Sequence, residues 1–390
     1  MIPRDATATL RRLAQGFPLV ALTGPRQSGK TTLARAVFGD KPYVSLEDPD
    51  ERAFADADPR GFLRRFEDRG VVIDEAQRCP ALFSYLQGWV DQRRIMGDVV
   101  LTGSQQFGLM TGISQSLAGR VGMVNLLPLA WAEVRSLDSA PATLEQALWR
   151  GGYPALYDRP VAPPDWFAAY VATYVERDVR QLIAVRDLSV FQRFVSMCAA
   201  RCGQLLNLSS LATDCGITQP TAREWLSVLA ASYIVVQLPP YHRNFGKRLV
   251  KTPKLYFLDV GLAAWLLGIR DAQALATHAM RGALFESWAA SEYIKSRCNA
   301  GLSPALHFWR DHAGHEVDLV IEAEGGRLDA VELKSGSTYA ADWADALKKW
   351  QGFAGDSAGQ PMVVYGGDAS YERQGVSVRG WRNWPDVTTR

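Results

Sequence analysis

The sequence predicts an α/β protein: a parallel sheet covered by helices, then a helical middle region, then a second α/β unit. Three observations carry this prediction. Short β-branched or apolar runs alternate with helical patterns between residues 19 and 125, which is typical of a parallel sheet with helices on its faces. Long helical patterns run over residues 165–202, and the order of elements from residue 281 onward is αβββαβ.

The composition indicates a folded chain with more than one core. Its 390 residues are 47% hydrophobic and 22% charged, which excludes disorder for most of the chain and allows two or three domains. The formal net charge is only +2, so a nucleic-acid site would have to be a local patch. The five cysteines form no CxxC pair, and no apolar run is long enough for a bilayer. We therefore expect reduced thiols, no membrane span and a cytoplasmic protein.

The candidate elements fix the predicted domain boundaries. Strands are expected at residues 19–23, 43–47, 70–74 and 98–102, with a crossover helix over residues 81–94. Proline- and glycine-rich stretches after residue 128 mark a change of texture. We predict domains at residues 1–130, 131–275 and 276–390.

A glycine-rich loop follows the first predicted strand and fits the pattern GxxxxGK[ST]. Glycines let backbone N–H groups face a phosphate, Lys30 adds a positive charge, and the Thr31 hydroxyl can bind Mg²⁺. An ordinary glycine turn is the alternative, but the flanking strand and helix favour a nucleotide site. The predicted binding residues are Gly24, Pro25, Arg26, Gln27, Ser28, Gly29, Lys30, Thr31 and Thr32.

Acidic and hydroxylic residues follow two later strands. Asp74 and Glu75 end an apolar strand in the Walker B arrangement. Asp74 would bind the water shell of Mg²⁺, and Glu75 would orient or deprotonate the attacking water. Ser104 follows the next apolar strand, where its hydroxyl would lie between a γ-phosphate and the water, cap a helix, or do both. Lys30, Asp74, Glu75 and Ser104 are therefore the candidate catalytic residues.

Together these motifs resemble the prokaryotic AAA-type P-loop ATPases with a C-terminal domain of unknown function. The resemblance covers most of the chain and includes residues 43–50, 74–77, 101–105, 116–121, 127–129, 151–154, 174–178 and 254–262. It implies an AAA-type P-loop NTPase sheet, with ATP and Mg²⁺ as cofactors. It also implies that Arg120 is an arginine finger acting across a subunit boundary of a homo-oligomer, the alternative being a surface arginine.

The middle region has the texture of a helix-turn-helix. Residues 207–226 form two helical patterns around Gly216, and Thr218 can cap the second with Pro220 in its first turn. A strand at residues 233–238 and a segment with five Lys/Arg at residues 242–254 resemble the wing of a winged helix. Such a unit would contact DNA phosphates more than bases; docking to another protein is the alternative.

A second set of polar residues with potential chemistry lies in the carboxyl-terminal region. Glu286 lies in a helical pattern, Asp318 on one strand, and Glu332 and Lys334 on the next, two residues apart and so on one face. The set resembles the PD-(D/E)XK nuclease core, a restriction-endonuclease-like α/β domain. The resemblance implies a second Mg²⁺ or Mn²⁺ site at Glu286, Asp318 and Glu332, with Lys334 beside it. A solvated strand face or an inactive relic of the fold is the alternative.

The motifs combine into one functional expectation and one alternative. We expect a Mg²⁺-dependent ATPase that acts on or with DNA. The alternative is a nucleotide-dependent regulatory switch in which both downstream domains bind protein and cleave nothing.

Overall fold

The computed structural model describes residues 1–104, 113, 116–175, 187–241 and 250–385, and these form two compact units. The first unit comprises Met1–Leu129, Ala231–Tyr233 and Arg297–Ser303; the second comprises Ala130–Ala230, Ile234–Ser296 and Pro304–Arg390. Among the described helices, none combines the length and apolar character needed to cross a bilayer. The division into three domains at residues 130 and 275 stays a prediction.

A five-stranded parallel sheet forms the centre of the first unit. Its strands are Leu19–Thr23 (β1), Tyr43–Ser45 (β2), Val71–Asp74 (β3), Val99–Gly103 (β4) and Val121–Asn125 (β5). They lie in the order β2-β3-β4-β1-β5, with every neighbouring pair parallel. Because β4 lies between β1 and β3, the residues that follow β1 and β3 flank the carboxyl end of β4.

Helices cover both faces of this sheet. They are Ala6–Gly16 (α1), Lys30–Val37 (α2), Pro49–Ala57 (α3), Pro59–Arg64 (α4) and Leu82–Arg93 (α5). Leu19 and Ala21 of β1 belong to the core that includes residues of α3, α4 and α5, whereas Val20 and Leu22 belong to the core that includes residues of α1 and α2. A parallel strand buried on both faces requires such covering layers. The predicted α/β fold around a parallel sheet is confirmed.

The second unit begins with short helices and continues with longer ones. Its helices are Trp131–Val134 (α6), Leu144–Arg150 (α7), Ala155–Asp158 (α8), Pro163–Tyr170 (α9), Leu188–Ala200 (α10), Leu208–Cys215 (α11), Gln219–Ala231 (α12), Val260–Leu266 (α13), Ala272–Ala276 (α14), Arg281–Asn299 (α15) and Asp345–Ala354 (α16). The last residue of α12, Ala231, belongs to the first unit.

A buried carboxylate joins two of the motifs identified in the sequence. Asp259, 2% exposed, caps α13 by accepting the Leu262 N–H at 3.0 Å, and it also accepts the Gly152 N–H at 2.7 Å. Glycine is required at position 261, because a Cβ there would lie 2.7 Å from the Gly151 nitrogen. The motifs at residues 151–154 and 254–262 therefore form one packed contact.

The helix-turn-helix texture corresponds to α11 and α12, which Gly216 separates at φ +71°. The Thr218 hydroxyl accepts the Thr221 N–H at 3.3 Å, as expected of a cap. Two antiparallel strands follow, Val235–Leu238 (β6) and Lys254–Phe257 (β7). Three cations of the basic segment, Arg243, Lys247 and Arg248, lie outside the described residues, as do residues 176–178 of the motif at residues 174–178. The winged-helix assignment stays a prediction.

A six-stranded mixed sheet lies in the carboxyl-terminal part of the second unit. Its strands are Leu306–Arg310 (β8), Glu316–Glu322 (β9), Leu328–Lys334 (β10), Ala358–Tyr365 (β11), Tyr371–Arg373 (β12) and Val376–Gly380 (β13), in the order β12-β13-β11-β10-β9-β8. Helix α16 packs Leu347 and Trp350 into the core of this sheet. The order α15-β8-β9-β10-α16-β11 matches the expected αβββαβ; the restriction-endonuclease-like assignment stays a prediction.

Candidate functional site

The glycine-rich loop connects β1 to α2. A Cβ at Gly24 would lie 2.1 Å from the Leu126 carbonyl oxygen, and Gly29 has φ +92°. Glycine is therefore required at Gly24 by close packing and favoured at Gly29 by backbone conformation. Helix α2 begins directly afterwards at Lys30.

The Lys30 side chain is folded into the loop that precedes it. The residue is 6% exposed, and its ammonium donates to the carbonyl oxygens of Gly24 at 3.0 Å and Pro25 at 2.7 Å. Ser28 is fully buried, and its hydroxyl has no hydrogen-bond partner among the described residues. The loop thus encloses the charged Lys30 ammonium and the Ser28 hydroxyl, which no described residue contacts by a hydrogen bond.

Asp74 receives hydrogen bonds from three different elements. The Thr31 hydroxyl, at the start of α2, donates to Oδ1 at 3.0 Å, and the Tyr43 hydroxyl on β2 donates to Oδ2 at 2.8 Å. The Thr102 hydroxyl on β4 also donates to Oδ1. The carboxylate at the end of β3 therefore links the helix after the loop to both neighbouring strands.

Tyr43 had no predicted role, yet it is one of these donors. Burial and the adjacent Asp74 carboxylate raise the pKa of Tyr43 to about 12. The phenol therefore keeps its proton at neutral pH and remains a donor to Asp74. The guanidinium carbon of Arg35 lies 4.9 Å from the centroid of the Tyr43 ring.

Glu75 is held by two side chains at the edge of the sheet. It is 9% exposed, and its Oε2 accepts the Gln77 side-chain amide at 2.6 Å and the Ser104 hydroxyl at 3.1 Å. Its φ of +54° lies in the left-handed region, which non-glycine residues adopt infrequently. The Gln77 Oε1 atom is buried without a hydrogen-bond partner among the described residues. Two donors therefore orient the Glu75 carboxylate: Ser104, which the sequence identified as a site residue, and Gln77, to which it assigned no role.

Arg4 supports the loop through two hydrogen bonds of its side chain. Its guanidinium donates to the carbonyl oxygens of Ser28 and Leu127, both at 2.7 Å, and the residue is only 9% exposed. The contact joins the glycine-rich loop to the chain that follows β5.

A second contact lies at the end of β1. The Thr23 hydroxyl donates to Asn125 Oδ1 at 2.6 Å and lies 3.0 Å from the Tyr233 hydroxyl, which is 3.2 Å from the same Asn125 oxygen. The residue before the loop is thus fixed from two distant parts of the sequence.

The remaining loop residues occupy varied environments. Pro25 is buried, Thr32 is exposed, and Gln27 has φ +60°. The Arg26 guanidinium lies 4.0 Å from the Glu47 carboxylate. The segment 105–112 that follows Ser104 lies outside the described residues, so the helix-cap alternative for Ser104 stays a hypothesis.

Arg120 lies at the amino-terminal ends of the strands, whereas the loop lies at their carboxyl-terminal ends. Its carbonyl oxygen accepts the N–H of Leu19, the first residue of β1, at 3.2 Å. Its guanidinium forms a bidentate salt bridge with the Asp91 carboxylate: Nε donates to Oδ1 at 2.6 Å and Nη2 to Oδ2 at 2.9 Å. In the described chain Arg120 is therefore an ion-pair partner on the surface.

The four predicted residues of the carboxyl-terminal site are electrostatically connected. Lys334 contacts Glu332 at 2.6 Å, and the Leu333 N–H donates to Asp318 Oδ2 at 2.8 Å. Burial, and next the Asp318 carboxylate, raise the pKa of Glu286 to about 8 and that of Glu332 to about 7. Among the described residues, however, no group of three His, Cys, Asp or Glu is arranged to hold a metal ion.

Lys254 was predicted to lie in a basic wing, and this prediction is wrong. The residue is 3% exposed, and its ammonium contacts the carboxylates of Glu286, Glu316 and Asp318. The sequence suggested an exposed position because the lysine follows several other cations. In the structure it is the first residue of β7, a strand in which every residue is buried.

Three family models match the chain in succession. Residues 16–135 match an AAA domain, residues 141–273 a domain of unknown function (DUF8612), and residues 281–384 another domain of unknown function (DUF4143). The first unit thus carries the α/β fold of AAA-type P-loop ATPases. The resemblance to AAA-type ATPases with a C-terminal domain of unknown function is confirmed at this level.

The chain belongs to the family of the uncharacterized protein Rv2008c of Mycobacterium tuberculosis. The two are 37% identical over 341 residues, which cover 86% of this chain and 74% of that protein. The uncharacterized protein Mb2031c of Mycobacterium bovis matches with the same figures.

Two solved structures show a weaker likeness. A Walker-type ATPase of Pyrococcus abyssi has a TM-score of 0.47 and 16% identity, over 68% of this chain and 96% of that one. A RuvB variant of Thermotoga maritima has a TM-score of 0.30 and 18% identity, over 60% and 89% of the two chains. At these scores neither structure determines the fold or the function of this chain.

Replacing Arg4 with alanine should destabilise the first unit. The change leaves two buried carbonyl oxygens without their charged donor, which costs on the order of 2–4 kcal/mol of unfolding free energy. Urea unfolding followed by fluorescence measures the loss. The matched control is Arg11→Ala, which removes an exposed arginine of α1; equal effects of the two changes would contradict the role of Arg4.

Proposed function

We propose that the first unit binds ATP with Mg²⁺ and hydrolyses it. The observation that carries this proposal is the hydrogen bonding at Asp74, where a hydroxyl of the helix after the loop meets the carboxylate that ends β3. Glu75 follows directly and is buried beside Ser104. The match of residues 16–135 to an AAA domain supports the same function.

Residues 24–32 would hold the triphosphate. The Lys30 ammonium would exchange its bonds to the loop carbonyl oxygens for bonds to β- and γ-phosphate oxygens. The first N–H groups of α2 have no acceptor within the helix and would donate to the same phosphates. Gly24 and Gly29 would let the backbone approach the ligand closely.

Thr31 and Asp74 offer the hard oxygen ligands that Mg²⁺ prefers, and the ion, when bound, neutralises charge on the β- and γ-phosphate oxygens. Glu75 would accept a hydrogen bond from the attacking water and then its proton. Ser104 would act as the sensor residue between the γ-phosphate and the water. Since Ser104 and Gln77 both bond to Glu75, they would also orient its carboxylate.

Arg120 would act on a nucleotide bound by a neighbouring subunit. It precedes β5 at the amino-terminal ends of the parallel strands, and the loop follows β1 at their carboxyl-terminal ends. Five residues of strand separate the two edges by about 16 Å, so within one chain the guanidinium lies too far from the phosphates. The ion pair with Asp91 would have to open for this role.

We further propose that the ATPase acts on or with DNA through α11, α12 and the β6–β7 hairpin. The supporting observation is the two-sided character of α12: Ala222, Trp225 and Leu226 are buried, whereas Arg223 and Glu224 are exposed. The polar side of the helix is thus available to a partner. Lys251, ahead of β7, is exposed as well. In the alternative function, a nucleotide-dependent switch, these surfaces bind protein.

The site assignments predict different defects for two variants. Lys30→Ala should abolish ATP binding, because it removes the charge that faces the phosphates, whereas Glu75→Gln should keep the affinity and stop hydrolysis. Binding of a fluorescent ATP analogue and phosphate release measure the two properties. The controls are Lys41→Ala, which changes a half-buried lysine outside the loop, and Glu67→Gln, which changes an exposed glutamate. Equal loss of affinity in both site variants would contradict the assigned roles.

The assignment of Arg120 predicts complementation between inactive subunits. Arg120→Ala and Glu75→Gln proteins should each be inactive, and a mixture should recover part of the activity, because some interfaces combine two intact residues. Phosphate release by the mixture measures this. If the two proteins assemble together and no activity returns, Arg120 does not act in trans.

The DNA proposal predicts weak, salt-sensitive binding that depends on the basic segment. Alanine at Arg243, Lys247, Arg248 and Lys251 should lower duplex affinity and reduce the salt slope by about one unit for each lost phosphate contact. Fluorescence anisotropy across a salt series gives both values. The control removes the exposed Lys348 and Lys349. The switch alternative predicts that neither set of changes alters binding.

A further inference from the structure

A buried lysine lies among the carboxylates of the carboxyl-terminal site, which we call the acidic cluster: Glu286, Glu316, Asp318 and Glu332. The Lys254 ammonium is 3.8 Å from Glu286 Oε2 and 3.9 Å from Asp318 Oδ1, and it is in direct contact with Glu316. Its side chain is 4% exposed. Three carboxylates therefore surround one positive charge that is almost completely removed from water.

The backbone around Lys254 fixes the ammonium in this position. Lys254 begins β7, where it is paired with Leu238 of β6, and it also forms an isolated bridge with Leu205. The Gly203 N–H donates to the next residue, Leu255, at 2.7 Å. Lys254 thus enters the cluster from a strand that is hydrogen-bonded on two sides.

Neighbouring groups also hold the acids in place. The Tyr256 hydroxyl lies 3.4 Å from Glu286 Oε2, and a Cβ at Gly203 would lie 3.3 Å from the same oxygen. Arg310 pairs with the second oxygen of Glu316 at 3.1 Å. The carboxylates of the cluster are therefore held in fixed positions by their neighbours.

The charges of the cluster support a resident cation. Burial alone would lower the pKa of Lys254, yet the surrounding carboxylates, Asp318 foremost, raise it. The ammonium therefore stays charged and compensates the acids. Removing it would leave the carboxylates buried and mutually repelling.

The arrangement does not fit the divalent ion that the nuclease resemblance implies. Mg²⁺ needs oxygen ligands at about 2.0–2.1 Å, and the space between Glu286, Glu316 and Asp318 holds the Lys254 ammonium. The remaining acid of the cluster, Glu332, is paired with a second ammonium, that of Lys334, at 2.6 Å. A divalent ion there would also be repelled by the ammonium. We infer that the Lys254 ammonium takes the place of a divalent metal ion in the acidic cluster, so that the unaltered protein binds no metal there.

This inference assigns the carboxyl-terminal domain a role other than metal-dependent phosphodiester cleavage. The cluster with Lys254 connects β7, α15 and β9 by charge. It therefore holds the hairpin strand against the carboxyl-terminal sheet, as a metal ion does in other proteins. The inference concerns the second unit alone and does not depend on ATP hydrolysis.

Binding of Mn²⁺ to the nucleotide-free 390-residue chain tests the inference. Electron paramagnetic resonance of free Mn²⁺ should show one more bound ion per chain in Lys254→Met than in the unaltered protein, at least tenfold tighter than any other site. Adding Asp318→Asn to that variant should remove the new site. The matched control is Lys295→Met, because Lys295 is equally buried but pairs with Glu292 outside the cluster; it should gain no ion.

Two outcomes would overturn the inference. One is a Mn²⁺ ion that the unaltered protein binds and Asp318→Asn loses, since the cluster would then hold a metal beside the lysine. The other is a folded Lys254→Met protein that gains no ion, since the ammonium would then not occupy a metal position. If Lys254→Met does not fold, the comparison of the unaltered protein with Asp318→Asn still decides, and equal Mn²⁺ binding is the expected result.

Discussion

The hydrogen bonding of one carboxylate, Asp74, is the interaction on which the nucleotide site depends. Asp74 accepts hydrogen bonds from hydroxyls on α2, β2 and β4, so it fixes the helix after the loop relative to the sheet. The strand order makes this possible, because β3 lies between β2 and β4. Each hydroxyl is a neutral donor, so the site keeps its negative charge for a cation while it satisfies the buried carboxylate.

Each of the two units contains a buried lysine, and the two lysines have different roles. Lys30 donates to carbonyl oxygens of its own loop, neutral acceptors that a phosphate can replace. Lys254 contacts three carboxylates, whose charge it compensates directly. Burial strengthens both interactions because water does not screen them. The acceptor chemistry therefore decides which lysine is available to an anion and which one is structural.

The sequence predicted the parts of this architecture that follow from local pattern. The alternation of strands and helices, the bend at Gly24 and Gly29, and the acidic end of β3 all arise from neighbouring residues. The sequence could not predict Tyr43 and Thr102 as partners of Asp74, because that pairing depends on the order of strands in space. Arg4 and Lys254 were missed or misplaced for the same reason: their partners lie 24 to 123 and 32 to 64 residues away. The strands β5, β12 and β13 were also missed. In β12 the reason is that its three residues are all exposed and show no alternation.

The central claim is that the site at Asp74 hydrolyses ATP and that DNA is the partner of this activity. Steady-state phosphate release by the 390-residue chain with Mg²⁺ and ATP, with and without duplex or single-stranded DNA, tests it most directly. The account predicts turnover that requires Mg²⁺ and that rises when DNA is added. No phosphate release under any of these conditions would contradict the assignment of an ATPase. Turnover that DNA leaves unchanged would contradict DNA as the partner and favour the nucleotide-dependent switch.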